Sequence, residues 1–100
     1  MNTTIEDKDG IMTVAFEGNM DTVAVPDVEA AIQPIFTSET KEILIDCSKM
    51  DYISSSGLRV FLSIALDTQS AGKHVSITGL SDLVREVFDT TGFTNLFEIK

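Results

Sequence analysis

One hundred residues have room for one hydrophobic core and none for a second. An apolar fraction of 43% and a charged fraction of 23% exclude a disordered chain, because enough apolar surface is present to offset the entropy of ordering. Seven basic against sixteen acidic residues leave a net charge of −9, which repels phosphate backbones and anionic lipid and argues against nucleic acid and membrane surfaces as partners.

A protein partner with a basic patch suits that charge, although acidity also serves solubility by itself. The lone Cys47 cannot close an internal disulfide, and no zinc-type cysteine spacing is present. No charged n-region followed by an apolar h-region opens the chain, and no apolar run approaches the roughly 20 residues of a spanning helix. The protein therefore reads as cytosolic.

The first expected element is a hairpin. Thr4–Lys8 and Ile11–Glu17 flank Asp9-Gly10, a strong tight-turn pair, and alternation puts Met12, Val14 and Phe16 on the larger apolar face. Gly18-Asn19-Met20-Asp21 then breaks the strand. Asp21 or Thr22 is placed to cap a helix running to about Phe36, with Val25, Val28, Ile32, Ile35 and Phe36 as its stripe. Pro26 is tolerable in the first turn, whereas Pro34 should kink or stop the helix.

Glu42–Cys47 is a short, nearly continuous apolar strand of the kind buried on both faces. A second helix spans about Ser56 to Ala71 and stops at Gly72. Lys73–Thr78 is a further strand, and Ser81 opens a third helix that ends near Gly92, with stripe Leu83, Val84, Val87 and Phe88. Leu96, Phe97 and Ile99 close the chain as an apolar tail. The order β-β-α-β-α-β-α predicts an α/β domain filling residues 1–100: a small mixed sheet that opens with an antiparallel hairpin, with helices packed on it. Strand, helix, strand from Glu42 to Thr78 should be a right-handed parallel crossover.

In the second helix, spacing at 100° per residue predicts a core stripe of Leu58, Phe61, Leu62, Ala65 and Leu66. Arg59, Ser63, Asp67 and Ser70 form a polar arc. Val60 and Ile64 fall outside that stripe. They either pack on the adjoining helix or form an exposed apolar pair suited to docking a partner.

Ser54-Ser55-Ser56-Gly57 sits where a strand's loop feeds this helix, and the first-turn N–H groups there are unpaired and carry the positive end of the dipole. Capping accounts for one hydroxyl. A phosphate would add about −1.5 to −2 charges and acceptor oxygens that free N–H groups can hold. Asp21 would lie at the same sheet edge if its strand runs parallel to Glu42–Cys47. There it either caps the first helix or hydrogen-bonds a serine hydroxyl, and Asp46 and Asp51 could join an acidic rim.

A hydrolase reading fails on geometry. His74 follows the helix and Ser55 precedes it, so about sixteen residues separate them by roughly 24 Å, far beyond the reach of a general base. The glycine-flanked serine of a nucleophile elbow is missing. Cys47 reads as a small buried hydrophobe rather than a reactive thiol. No phosphate-binding loop, dinucleotide fingerprint or metal-ligand spacing is present, so no cofactor is expected. A receiver domain with Asp46 as acceptor would need five βα units and a first-strand acidic pair.

The run from Asp46 to Leu62, a strand end, polar loop, serine run, glycine and apolar helix, resembles the core motif of STAS domains, the anti-sigma-factor antagonists of bacteria. Gly18–Asp21 resembles that family's Gly-Glu-Leu-Asp turn, and Thr91-Gly92-Phe93 with Leu96-Phe97-Glu98-Ile99 its C-terminal signature. The three matches fall in the family's order, and the family's length fits the whole chain. Two departures stand out: Ser54 occupies the usual aspartate position, and the turn reads Gly-Asn-Met-Asp.

The resemblance implies a regulatory cycle. The unmodified protein would bind an anti-sigma factor that is also a serine kinase, freeing the sigma factor. Phosphorylation would end the complex and a serine phosphatase would reset it. The family's acceptor, two places before the glycine, falls on Ser55, with Ser54 and Ser56 as neighbours. Asp21, Ser54, Ser56, Gly57, Leu58, Arg59, Val60 and Ile64 would form the partner-binding set, on a monomer or weak dimer. A STAS-type interaction subunit without phosphorylation is the alternative.

Overall fold

The computed structural model describes residues 1–100. Strands β1 (Asn2–Lys8) and β2 (Ile11–Met20) are followed by helices α1 (Val25–Ala31) and α2 (Gln33–Thr37). Then come β3 (Glu42–Ile53), α3 (Ser55–Ser70), β4 (His74–Thr78), α4 (Asp82–Thr91), a 3-10 turn at Phe93–Asn95 and β5 (Glu98–Ile99). The five strands lie in the sheet in chain order; β1 pairs antiparallel with β2 and every other pair is parallel. Asp9 and Gly10 have φ of 55° and 81°, the positive pair that a two-residue hairpin loop needs to match strand twist.

One face of the sheet is the core face. Met12, Val14 and Phe16 of β2, Ile43, Ile45 and Cys47 of β3, and Val75 and Ile77 of β4 are buried there. They join side chains of all four helices in one cluster of 21 buried residues. Phe61 of α3 is at its centre, edge-on to Phe16, Phe88 and Phe97 with ring centroids 5.8, 5.2 and 6.0 Å away. The opposite face is largely open: Thr13, Ala15, Leu44 and Asp46 are only partly buried. The expectation that Glu42–Cys47 is covered on both sides is thus corrected.

Strands β2 and β3 run further than periodicity suggests. β2 continues through Gly18-Asn19-Met20, and β3 extends six residues past Cys47 to Ile53. The register slips twice, between Ala15 and Glu17 and between Gly18 and Asn19, and each slip gives β3 one extra residue. As a result Cys47, Met50 and Ile53 are buried at intervals of three while the pairs between them are exposed. Period-2 alternation stops at the first bulge. The longer strand also moves Asp46 roughly 20 Å or more from the serines, so it cannot belong to an acidic rim there.

The expected first helix is two. α1 ends at Ile32 and α2 begins with Pro34 in its first turn, because a proline lacks the N–H and would clash with the carbonyl of Ala30 in a continuous helix. α3 and α4 start and stop within one residue of expectation. Ser81 Oγ caps α4 by accepting from Val84 N, and Gly92 ends it at φ 80°. Leu83, assigned to the α4 stripe, is 61% exposed.

The α3 stripe is rotated by about one residue. Gly57, Val60, Phe61, Ile64, Ala65 and Thr68 are buried, whereas Leu62 and Leu66 are 38% and 58% exposed. Val60 and Ile64 are therefore core residues and do not form an exposed apolar pair. The helix is apolar around more than half of its circumference, so the sequence pattern admits two stripes, and Gly57 selects between them by closest approach to the sheet.

This face assignment makes a measurable difference. Phe61→Ala should lower the free energy of unfolding by about 3–5 kcal/mol, and Leu66→Ala by less than about 1 kcal/mol. Urea unfolding of the two variants checks both figures.

Candidate functional site

β2 and β3 are parallel and pair Met20 with Ile53, so Asp21 and Ser54 leave the sheet side by side at the same edge. The two chains are tied there by one carbonyl. Met20 O accepts from Ser54 N at 2.9 Å and from Ser54 Oγ at 2.9 Å. Ser54 is in turn the N-cap of α3, its Oγ accepting from Gly57 N at 3.1 Å. Its hydroxyl both donates and accepts within the fold. An aspartate at this position could accept from Gly57 but, ionised, could not donate to Met20.

Gly57 is required for a different reason. A Cβ built there would lie 2.8 Å from Ile53 Cγ1, 2.9 Å from Met20 Cγ and 3.0 Å from Met20 O. The first turn of α3 therefore rests directly on the ends of β2 and β3, and Gly57 is buried by that contact. It shapes the site without offering a surface, which removes it from the partner-binding set.

The three serines have different surroundings. Ser54 is half-buried and fully engaged. Ser56 is half-buried, with Oγ 3.3 Å from Thr22 Oγ1. Ser55, the first residue of α3, is exposed and its hydroxyl makes no hydrogen bond within the protein. The first intrahelical bond here is Leu58 N to Ser54 O, so the N–H groups of Ser55 and Ser56 precede it and have no helical carbonyl to bond. No acidic residue occupies the first turn of α3.

Asp21 is at the expected edge but does not cap α1 and does not reach a serine. Its Oδ1 accepts from Ala24 N at 2.9 Å, closing the turn ahead of the helix, whose own N-cap Ala24 has no side-chain bond. Thr22, considered in sequence only as a cap, is the residue of this loop that touches the serine run. Its role depends on β2 and β3 being parallel neighbours, which the local sequence does not state. Val23 beside it is 87% exposed.

Around the helix, Leu58 is partly buried and Arg59 is exposed and enters no ion pair. Leu58, Leu62 and Leu66 follow one another at intervals of four, so they form an apolar row running down α3 from the serines. Ser56 and Arg59 line a groove of about 290 Å³ between α1 and α3, with Val25 and Glu29 opposite.

His74, the one histidine of the chain, is not placed to act on the serines as a base. It lies past the far end of a sixteen-residue helix, roughly 24 Å away. The Cys47 thiol is buried, and desolvation with the neighbouring Asp46 charge pushes its pKa up to about 12. No cluster of three or more His, Cys, Asp or Glu side chains is placed to hold a metal ion.

Three substitutions separate the structural serine from the free one. Ser54→Ala should destabilise the fold by about 0.5–2 kcal/mol, and Gly57→Ala by about 1–3 kcal/mol. Ser55→Ala should stay within about 0.5 kcal/mol of the parent in the same denaturant titration. Cys47 should resist alkylation near pH 8 in the native protein and react once the chain is unfolded.

The anti-sigma-B factor antagonist of Staphylococcus aureus is 27% identical over 99 residues, covering 99% of this chain and 90% of the relative. An anti-sigma factor antagonist from Mycobacterium paratuberculosis superposes with a TM-score of 0.87 at 23% identity, over 98% of this chain and 83% of the other. The Bacillus cell fate determinant SpoIIAA, solved in its phosphorylated form, superposes with a TM-score of 0.76 at 19% identity, over 99% and 91% of the two chains. The family model described as the STAS domain matches residues 2–100, and the chain belongs to that family.

Proposed function

We propose that this protein is an anti-sigma-factor antagonist that is switched off by phosphorylation of Ser55. The observation that carries the reading is the unequal use of the three serines. Ser54 is bound at both ends of its hydroxyl and Ser56 faces Thr22, whereas Ser55 is exposed and free at an open helix N-terminus. A kinase can reach it without unfolding the edge. The phosphate would meet unpaired N–H groups and the positive end of the α3 dipole, so the modified fold should persist. Two of the proteins it is similar to are named antagonists of anti-sigma factors, and SpoIIAA has been solved with a phosphate attached.

Unmodified, the protein would bind an anti-sigma factor that is itself a serine kinase. Asp21, Ser54, Ser55, Ser56, Leu58 and Arg59 would form the contact, extended by Val23 and the exposed Leu62 and Leu66. Exposed apolar residues beside a mostly acidic surface suit a partner with a basic rim. A phosphate at the centre of that contact would have to be desolvated opposite the kinase's own groups, and the complex would dissociate. A serine phosphatase would restore the binding form. We place this cycle in the cytoplasm, where sigma factors act; no helix is long and apolar enough to cross a membrane. In this reading the protein is a binding switch and the catalysis belongs to its partners.

The test is direct. Incubation with a serine-kinase anti-sigma factor and ATP should add one phosphoryl group, mapped by peptide mass to Ser55, with loss of the complex. A complex that forms and survives unmodified would instead point to a non-phosphorylated STAS interaction subunit. If neither adduct nor complex appeared, the antagonist reading would be abandoned.

A further inference from the structure

The C-terminal edge of the sheet has little to hold it. β5 is two residues long and pairs with β4 through Ser76–Glu98 and Ile77–Ile99 alone. Lys100 N adds one bond to Ile77 O at 2.8 Å, and Phe97, just before β5, reaches into the core against Phe61. A strand this short is marginal without side-chain support.

Support comes from the first residue of β4. His74 Nδ1 lies 2.8 Å from Glu42 Oε1 on β3, and its Nε2 lies 2.8 Å from Glu98 Oε2 on β5. One imidazole thus bridges carboxylates on both neighbouring strands. A carboxylate only accepts, so both contacts are hydrogen bonds only when both ring nitrogens carry protons. With one proton lost, one nitrogen lone pair faces a carboxylate oxygen and that contact becomes repulsive. Glu42 is anchored in a twelve-residue strand, and its Cα is registered directly opposite His74. Glu98 is on the two-residue strand and is the arm free to leave.

We propose that Glu42, His74 and Glu98 form a proton-dependent clamp that fastens β5 to the sheet. This device lies at the end of α3 remote from the serines and does not depend on the antagonist reading. The charges facing the ring are the two carboxylates. Lys41, next to Glu42, and Lys73, next to His74, turn their ammonium groups to main-chain carbonyls instead: Lys41 to Ala71, and Lys73 to Ile35 and Ser38. The hydrogen bond to Glu42 is the largest cause of an upward shift of the His74 pKa from its usual 6.5, and Glu98 adds to it.

For a group whose pKa is raised on folding, the contribution to stability is fully present below the unfolded value. It is lost as pH rises through the folded value. The clamp is therefore closed at about pH 6 and opens through a window that begins near 6.5 and extends upward. Opening frees Glu98, weakens the two β4–β5 pairs and loosens the chain that presents Phe97 to Phe61. β5 then becomes the part of the sheet that opens locally.

NMR on the intact protein tests this. The His74 ring should titrate with a midpoint above that of an unstructured histidine. Across that titration the Lys100 amide, corrected for intrinsic exchange, should lose at least roughly threefold in protection while β3 amides change little. Glu98→Gln should abolish the pH dependence, and His74→Gln should leave Lys100 weakly protected at both about pH 6 and about pH 8.5. Equal protection of Lys100 on both sides of the titration would overturn the clamp. So would a parallel loss in β3, or a pH dependence that survives Glu98→Gln.

Discussion

The carbonyl oxygen of Met20 takes two hydrogen bonds from Ser54, and almost everything at the serine edge of the sheet follows from that contact. It joins the end of β2 to the start of α3, and so fixes where the helix begins. It occupies the hydroxyl that would otherwise compete with Ser55. It also draws the first turn of α3 so close that only glycine fits at residue 57. Once Gly57 faces the sheet, residues three, four, seven and eight further on must follow it inward. Val60, Phe61, Ile64 and Ala65 fill the core, and Leu62 and Leu66 are left outside. Cap, glycine, core stripe and exposed row are consequences of one junction.

Much of the fold was legible because its punctuation is strong. Asp9-Gly10, Gly72, Ser81 and Gly92 each mark a turn or helix end by a local rule, and the structure places them accordingly. What escaped sequence reading was non-local. The two bulges in β3 replace alternation with a spacing of three, visible only against the straight register of β2. Periodicity alone puts the α3 stripe one residue off, because Leu58, Val60, Phe61, Leu62, Ile64 and Leu66 satisfy either face. The open sheet face was missed because an apolar run does not say how many sides of a strand are covered. At the site, the serine run is legible chiefly through the family resemblance, with its position before a helix as the physical support. Its division into a cap, a Thr22 contact and a free hydroxyl needed β2 and β3 to be parallel neighbours.

The departure at Ser54 has a physical account in this geometry. Serine and aspartate are both good N-caps. A serine hydroxyl additionally donates to Met20 O, which an ionised carboxylate cannot do. The position keeps its structural task and sheds a negative charge beside Ser55. That loss is compatible with a site that receives a phosphate, because one fewer like charge opposes it. The opposite end of the sheet uses charge in another way. When doubly protonated, His74 there uses both ring nitrogens to hold Glu42 and Glu98, and in the proposed clamp it fastens the fold.

In the proposed switch, negative charge at Ser55 ends partner binding while the fold stays intact. Titration calorimetry of Ser55→Asp with a serine-kinase anti-sigma factor, beside a urea unfolding curve, tests it most directly. Affinity should fall at least roughly tenfold, with stability within about 1 kcal/mol of the parent. Undiminished affinity in a folded Ser55→Asp protein would contradict it.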